Sequence, residues 1–296
     1  MSLGITDEPR AASLDRTGGQ VRATPLHLAL HALLLLVSVT ALIPMIWMLS
    51  TSLKTSGTEL EWPIQWIPNP IVWSNYIHAH TMLAFGYYYR NTITITLLST
   101  LGSVITSSMA GYAFGRLRFV GRTALFALVL ATMMLPSIVT LIPTYLIWRY
   151  LGWLDTLVPL IVPSWLGGGA FYIFLMRQFM LGLPRELDEA ARMDGASTYR
   201  IFWQVILPLC GPALAAIAIF SFVAHWTDFL APLIYLNSDH NRTVAIGLAL
   251  GVGAYHTSYN YVMAISFTMT LPIVALFFFA QRYFMKGVVL SGLAGR

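Results

Sequence analysis

Groups able to do covalent chemistry are scarce in this 296-residue sequence. The lone cysteine, Cys210, excludes an intramolecular disulfide and any cysteine-rich metal site, and its apolar surroundings suit a small buried hydrophobe. The seven histidines, His27, His31, His78, His80, His225, His240 and His256, form no metal-type constellation. His78 and His80 are two apart, a spacing that suits a strand rather than one side of a helix. The sequence has no glycine-rich loop ending in Gly-Lys-Ser/Thr, so it carries no phosphate-gripping motor of its own. No Ser/His/Asp arrangement is legible. What remains is a set of polar and aromatic groups within or beside apolar runs: Asn91, Thr144, Tyr145, Trp226, Asp228 and Asn260. A polar group in such a run needs a reason to be there. Aromatic faces stack on sugar rings, and carboxylates and amides exchange hydrogen bonds with hydroxyls. Trp226 with Asp228 is therefore the pair best suited to a sugar, although Asp228 lies about 30 Å along a helix from Pro208, where an outer interface would tolerate an acid.

Lipid is the solvent for much of the chain that holds these groups. Hydrophobic residues make up 57% of it, charged residues 10%, and mean hydropathy is +0.70; a soluble domain carries about 25% charge. Spanning a core about 30 Å thick takes roughly 20 apolar residues. Six stretches qualify, at about 26–49, 91–114, 124–148, 157–176, 209–230 and 261–279. The first is longer than the roughly 7–15 residues of a signal-peptide core and has no small-x-small site after it, so it reads as a retained span. Residues 1–25 read as a polar tail, 26–283 as one transmembrane domain and 284–296 as a second tail.

The net charge of +5 matters less than where its sources fall, and does not point to nucleic acid. Thirteen Lys and Arg lie in the tail 1–25, the segments 115–123 and 177–208, and the end 280–296; the other side has Lys54, Arg90, Arg149 and Arg242. The positive-inside rule puts both termini in the cytoplasm. Outside, residues 51–90, with Trp62, Trp66, Trp73, Pro63, Pro68 and Pro70, suit an interfacial cap, and 236–258 has loop composition. Gly167-Gly168-Gly169 suits close helix packing or a bend. Pro136, Pro208, Pro212 and Pro272 mark kinks or boundaries.

The segment 177–208 differs from everything around it. Pro184 suits a first helical turn, and Glu186, Asp188 and Glu189 sit where a helix dipole favours acids. Gly195 suits a left-handed stop and Ser197 an N-cap. Ile201, Phe202, Val205 and Ile206 make one apolar face on a second helix. Composition alone leaves docking onto a soluble protein and plain connection equally open.

The spacing is more specific. Glu189-Ala190-Ala191, three residues, Gly195, nine residues, Val205, one residue, Leu207-Pro208 resembles the EAA loop of bacterial ABC importer permeases, Val205 being the one conservative departure. Leu183-Pro184-Arg185-Glu186-Leu187, Trp226 with Phe229, Pro232-Leu233 and Gln281-Arg282-Tyr283-Phe284 with Gly287 resemble the carbohydrate-uptake branch, in particular the smaller six-span permease of maltose- and trehalose-type transporters. The resemblance implies an all-α integral membrane protein of the type I ABC importer permease fold in a bacterial inner membrane. It also implies a second homologous permease, two copies of a cytoplasmic ATPase that holds the ATP and Mg, and an external solute-binding protein. This chain would bind no cofactor. Glu189, Ala190, Ala191, Asp194, Gly195, Leu207 and Pro208 would form the coupling elbow, with both alanines allowing close approach. Gly247, Gly251 and Gly253 would mark the tip of a loop that probes the binding protein. The solute would cross along a path including Asn91, Tyr145, Trp226, Asp228 and Asn260, and would be a di- or oligosaccharide. A glycerol-phosphate-type solute is the alternative within the branch. An ion-coupled secondary carrier and a membrane-embedded enzyme are the alternatives outside it.

Overall fold

The structure, a computed structural model, describes residues 25–59, 61–254 and 258–293. Helix dominates them because apolar runs this long can satisfy their backbone polar groups in lipid only within the segment. The chain forms two units, 1–46 and 47–296. In the first, helix α1 (Pro25–Ser52) begins, and none of its most apolar stretch is buried. Its last residues, Ser50, Thr51 and Ser52, belong to the second unit and are buried there.

Helix α3 (Phe85–Arg116) is the axis of the second unit. Thr96, Ser99, Gly102, Ser103 and Ser107 form a buried stripe of small residues, which lets neighbouring backbones approach. Against α3 pack α6 (Val158–Trp165), α7 (Ala170–Leu181) and α11 (Gly211–Trp226). Hydroxyls join the helices: Ser99 Oγ donates to the Leu160 carbonyl at 3.1 Å, and Thr106 Oγ1 to the Ser164 carbonyl at 3.1 Å. The glycine triplet separates α6 from α7 and gives the close packing expected of it. Gly168 has φ +65°, and a Cβ there would lie 2.5 Å from Thr106 Oγ1.

Two of the expected spans are broken helices. The stretch 124–148 is two helices, α4 (Arg122–Thr132) and α5 (Ser137–Tyr150), bent by 98°. Pro136 lacks an N–H and keeps Leu135 out of helical geometry. The stretch 209–230 shortens to α11, which meets the preceding helical segment at 79° where Cys210 precedes Gly211-Pro212. Asp228 therefore lies past the end of α11, not on a straight helix from Pro208.

On one side of the membrane α2 (Ser74–Met82) and the turns before it build the expected cap. Asn75 Nδ2 donates to the carbonyls of Ser52 and Lys54 at 2.9 and 2.7 Å, and Ser52 Oγ pairs with the Tyr76 hydroxyl at 2.8 Å. Lys54 is 3% exposed and lies 4.3 Å from the centre of the Trp47 ring; burial lowers its pKa, and nearby Glu59 partly restores it. Helix α12 (Leu230–Tyr235) leads through a short 3-10 turn to α13 (Val244–Ala254), and α14 (Tyr259–Leu293) closes the chain. The reading of 236–258 as a loop is thus corrected: most of it is helical. The helix of α14 likewise continues through most of the tail read at 284–296, whose last three residues lie outside the described ones, as does the tail 1–25 up to residue 24.

Candidate functional site

The elbow is built from helix α8 (Glu186–Met193) and a second helical segment, 198–209. Pro184 stands before α8 rather than in its first turn, while Glu186, Asp188 and Glu189 occupy that turn. At the other end the chain closes in a Schellman arrangement: Gly195 N–H donates to the Arg192 carbonyl, and Ala196 N–H to the Ala191 carbonyl, both at 2.9 Å. Gly195 takes φ +76°, a value that costs any other L-residue strain. Ser197 Oγ then accepts from the Arg200 N–H at 3.3 Å and starts α9 (Thr198–Arg200). The segment widens into a π-type stretch, Ile201–Ile206, where the Leu207 N–H reaches back to Phe202, and ends as α10 (Leu207–Leu209) with Pro208 in its first turn.

The apolar face of this segment anchors the elbow. Ile201 and Ile206 are fully buried and Phe202 nearly so, in one cluster with Tyr112, Met176 and Met180. Of the two alanines expected to allow close approach, Ala190 is exposed and Ala191 belongs to that cluster at 9% exposure. Glu189, Asp194, Gly195 and Pro208 are exposed, and Leu207 is half-buried against the cluster. Met193 is 89% and Tyr199 72% exposed. The elbow therefore offers a charged and apolar outer face on a rigid inner one.

The sequence reading missed the residue pair that fixes its height. Arg116, at the last turn of α3, makes an ion pair with Asp188 at 2.8 Å and donates to the carbonyls of Leu183 and Pro184 at 2.8 and 3.2 Å. Both side chains are at least nine-tenths buried. The cationic end of α3 thus grips the start of α8 and the carbonyls ahead of it. In the sequence Arg116 reads only as a topological charge and Asp188 only as a helix-dipole partner; no local spacing links residues so far apart.

At the opposite end of α3, Asn91 Nδ2 donates to the carbonyls of His240 and Arg242 at 2.7 and 3.0 Å, holding the entry to α13. Gly247 packs on α3 so tightly that a Cβ would lie 2.4 Å from the Tyr88 ring. Gly251 is also buried, while Gly253 is open to space, so only the end of the glycine-bearing run is free. Tyr88 and Arg116 are about 42 Å apart along the helix, more than a hydrocarbon core of about 30 Å. Elbow and α13 consequently lie at opposite membrane faces.

The residues expected along a solute path are not brought together. Asn260 is fully buried, its amide donating to the Lys54 carbonyl at 3.1 Å. Trp226 is 3% exposed, stacked on Phe222, and donates its indole N–H to the Met269 carbonyl at 2.9 Å. Asp228 accepts from the Ala231 N–H at 3.4 Å, ahead of α12. Tyr145 is half-buried beside Trp148, Trp153 and Leu160. Thr144 lines an apolar cleft of about 510 Å³ with Gly167, Gly169 and Trp148. Asn91, Asn260, Trp226 and Asp228 are thus tied to backbone groups of the protein, as polar groups in apolar surroundings need to be.

An elbow fixed at one membrane face and a short helix at the other define a permease subunit. A family model described as binding-protein-dependent transport system inner membrane component matches residues 102–289, and the chain belongs to that family. It is 36% identical over 247 residues to the arabinooligosaccharides transport system permease protein of Halalkalibacterium halodurans, covering 83% of this chain and 86% of that one. It is 32% identical to the trehalose/maltose transport system permease protein of Thermococcus litoralis, covering 88% and 94%. Its fold matches a crystal structure of a bacterial ABC transporter involved in import of the acidic polysaccharide alginate, with TM-score 0.77, 27% identity, and coverage of 89% of this chain and 98% of that one.

Proposed function

We propose that this chain is one of two related permease subunits of a sugar importer, with both termini in the cytoplasm, two copies of an ATPase below and a solute-binding protein outside. The solute is a di- or oligosaccharide, a reading supported by relatives named for arabinooligosaccharides and for trehalose/maltose. ATP and Mg are held by the ATPase, none by this chain. The elbow seats in a cleft of the ATPase: Glu189 meets a basic group there, Ala190 and Met193 supply close contact, and Gly195 sets the angle. The observation that carries this reading is an exposed acidic and apolar face on an elbow locked to the last turn of α3 by Arg116 and Asp188. ATP-driven closure of the ATPase would draw the two elbows together, and that locked contact would pass the motion to α3 and so to the spans. On the outer side the exposed end of α13, at Val252 and Gly253, meets the binding protein.

Glu189→Lys tests the docking. Energised vesicles carrying the variant should lose solute uptake by at least tenfold while immunoblots show normal membrane insertion. Wild-type uptake in a fully inserted variant would remove the elbow's assigned role.

A further inference from the structure

Beside the elbow lies a cleft of about 530 Å³, walled on one side by Arg118 and Phe119 and on the other by α8. Arg116 and Asp188 form its floor and neutralise each other. Arg118, Arg185 and Arg192 also line it, exposed, and their guanidinium groups make no hydrogen bond or ion pair among the described residues. Glu189 is the one other acid on its wall. Three arginines against one carboxylate leave a surplus of two positive charges with no partner among the described residues. In the floor, the buried Arg116 Nε lacks an acceptor and Asp188 Oδ1 lacks a donor.

The level of this cleft says what would meet it. Arg116 bonds the Leu183 and Pro184 carbonyls, so the ends of α3 and α7 share one plane. Arg177 on α7 donates to the Phe114 carbonyl at 3.3 Å and lies 4.1 Å from the centre of the Phe126 ring on α4, so α4 starts in that plane too. Where three spans end together, lipid headgroups begin. The turn between α3 and α4 points apolar groups outward at this depth: Phe119 is 40% and Val120 100% exposed. An arginine fork matches phosphate oxygens in pairs, and basic hollows between spans attract anionic headgroups.

We propose that the cleft between residues 117–119 and α8 binds the phosphate of an anionic phospholipid headgroup through Arg118, Arg185 and Arg192, with acyl chains running past Phe119. The elbow then rests on a lipid as well as on α3. The two readings part in one variant: Glu189→Lys keeps all three arginines and removes an acid from the cleft wall, so it retains the lipid even where uptake is lost.

The test uses the assembly as purified from its membrane, delipidated in mild detergent and titrated with dioleoylphosphatidylglycerol or dioleoylphosphatidylcholine, with retained lipids counted by native mass spectrometry. The wild type should hold phosphatidylglycerol in preference to phosphatidylcholine. R118Q/R185Q/R192Q should lower that retention on the order of tenfold or more, and the matching triple lysine variant should recover part of it. R149Q, at the opposite face, should change nothing. Equal retention by wild type and the glutamine variant overturns the proposal. Displacement of the lipid by millimolar inorganic phosphate assigns the cleft to a free anion and overturns it as well. If the variant sheds the ATPase while keeping its lipid, the arginines serve an acidic segment of the partner instead. Should the triple variant fail to insert, R118Q alone, on the turn outside the elbow, gives the same comparison.

Discussion

Asp155 shows how much one side chain can hold in this protein. It sits between α5 and α6 with φ +58°, and gathers groups from the segment that follows α12. Its carboxylate accepts from the backbone N–H groups of Asn237 and Ser238, both at 2.9 Å, and from the Ser238 hydroxyl; its own carbonyl accepts from Asn241 Nδ2 at 2.6 Å. Burial opposes ionisation, yet these donors prevail and hold the carboxyl well below the ordinary value near 3.8. A depressed acid stabilises the fold fully above its ordinary pKa and loses that contribution as pH falls through the folded value. Asp155→Ala should therefore cost about 2 kcal/mol at pH 7, the worth of charge-assisted hydrogen bonds. Melting of detergent-purified protein should show the gap between variant and wild type narrowing below pH 4 and constant above pH 5. A gap unchanged down to pH 3 would mean that the charge is not its source. Arg116 and Asp188 obey a harsher rule, because removing one partner of a buried pair strands the other.

At the scale of elements, packing decides what composition could not. The glycines of α13 suggested a loop, since glycine costs a helix about 1 kcal/mol relative to alanine. The structure uses them for approach instead: Gly247 leaves room for the Tyr88 ring, and Gly251 follows one turn later. Gly247→Val should tilt α13 from α3 and lower both thermal stability and uptake, the former by about 2 kcal/mol as overpacking does. Gly253→Ala has open space and should leave stability unchanged or slightly raised. Melting curves of the two variants decide between a packed helix and a loose connector; equal tolerance at both sites favours the connector. The elbow, by contrast, was legible, because its stop at Gly195 and cap at Ser197 are local chemistry that needs no neighbour. The bends at Pro136 and Cys210 were half legible: proline announces a break but not its angle. The uses of Asn91, Asn260 and Trp226 were hidden, since their partners lie 149, 206 and 43 residues away.

For the whole molecule the open quantity is the number of crossings and their sense. Among the described residues four helices are long and apolar enough to span singly, and two bent pairs would make six. A pair bent by 98° could turn back on itself, but α4 and α5 do not return. Arg122 begins α4 beside the elbow and donates to the Leu117 carbonyl at 3.0 Å, whereas Trp148 near the end of α5 packs with Ile95, Leu160 and Tyr235, toward the α13 end of α3. The pair therefore advances from one face to the other, and so does the chain from the elbow through α11 to α12. On the proposed topology six crossings put both termini on one side, and the positive-inside rule expects that side to be the cytoplasm. Thiol labelling reads this directly, because Cys210 is the only cysteine and is fully buried. Val120, 100% exposed beside the elbow, and Tyr150, 91% exposed at the end of α5, mark the two faces. In intact spheroplasts a membrane-impermeant maleimide should label Tyr150→Cys and spare Val120→Cys; inside-out vesicles should give the reverse. The opposite pattern would place the elbow outside, where no ATPase could reach it. Labelling of both variants from one side would mean that α4 and α5 turn back within the membrane, leaving an odd number of crossings and the termini on different sides.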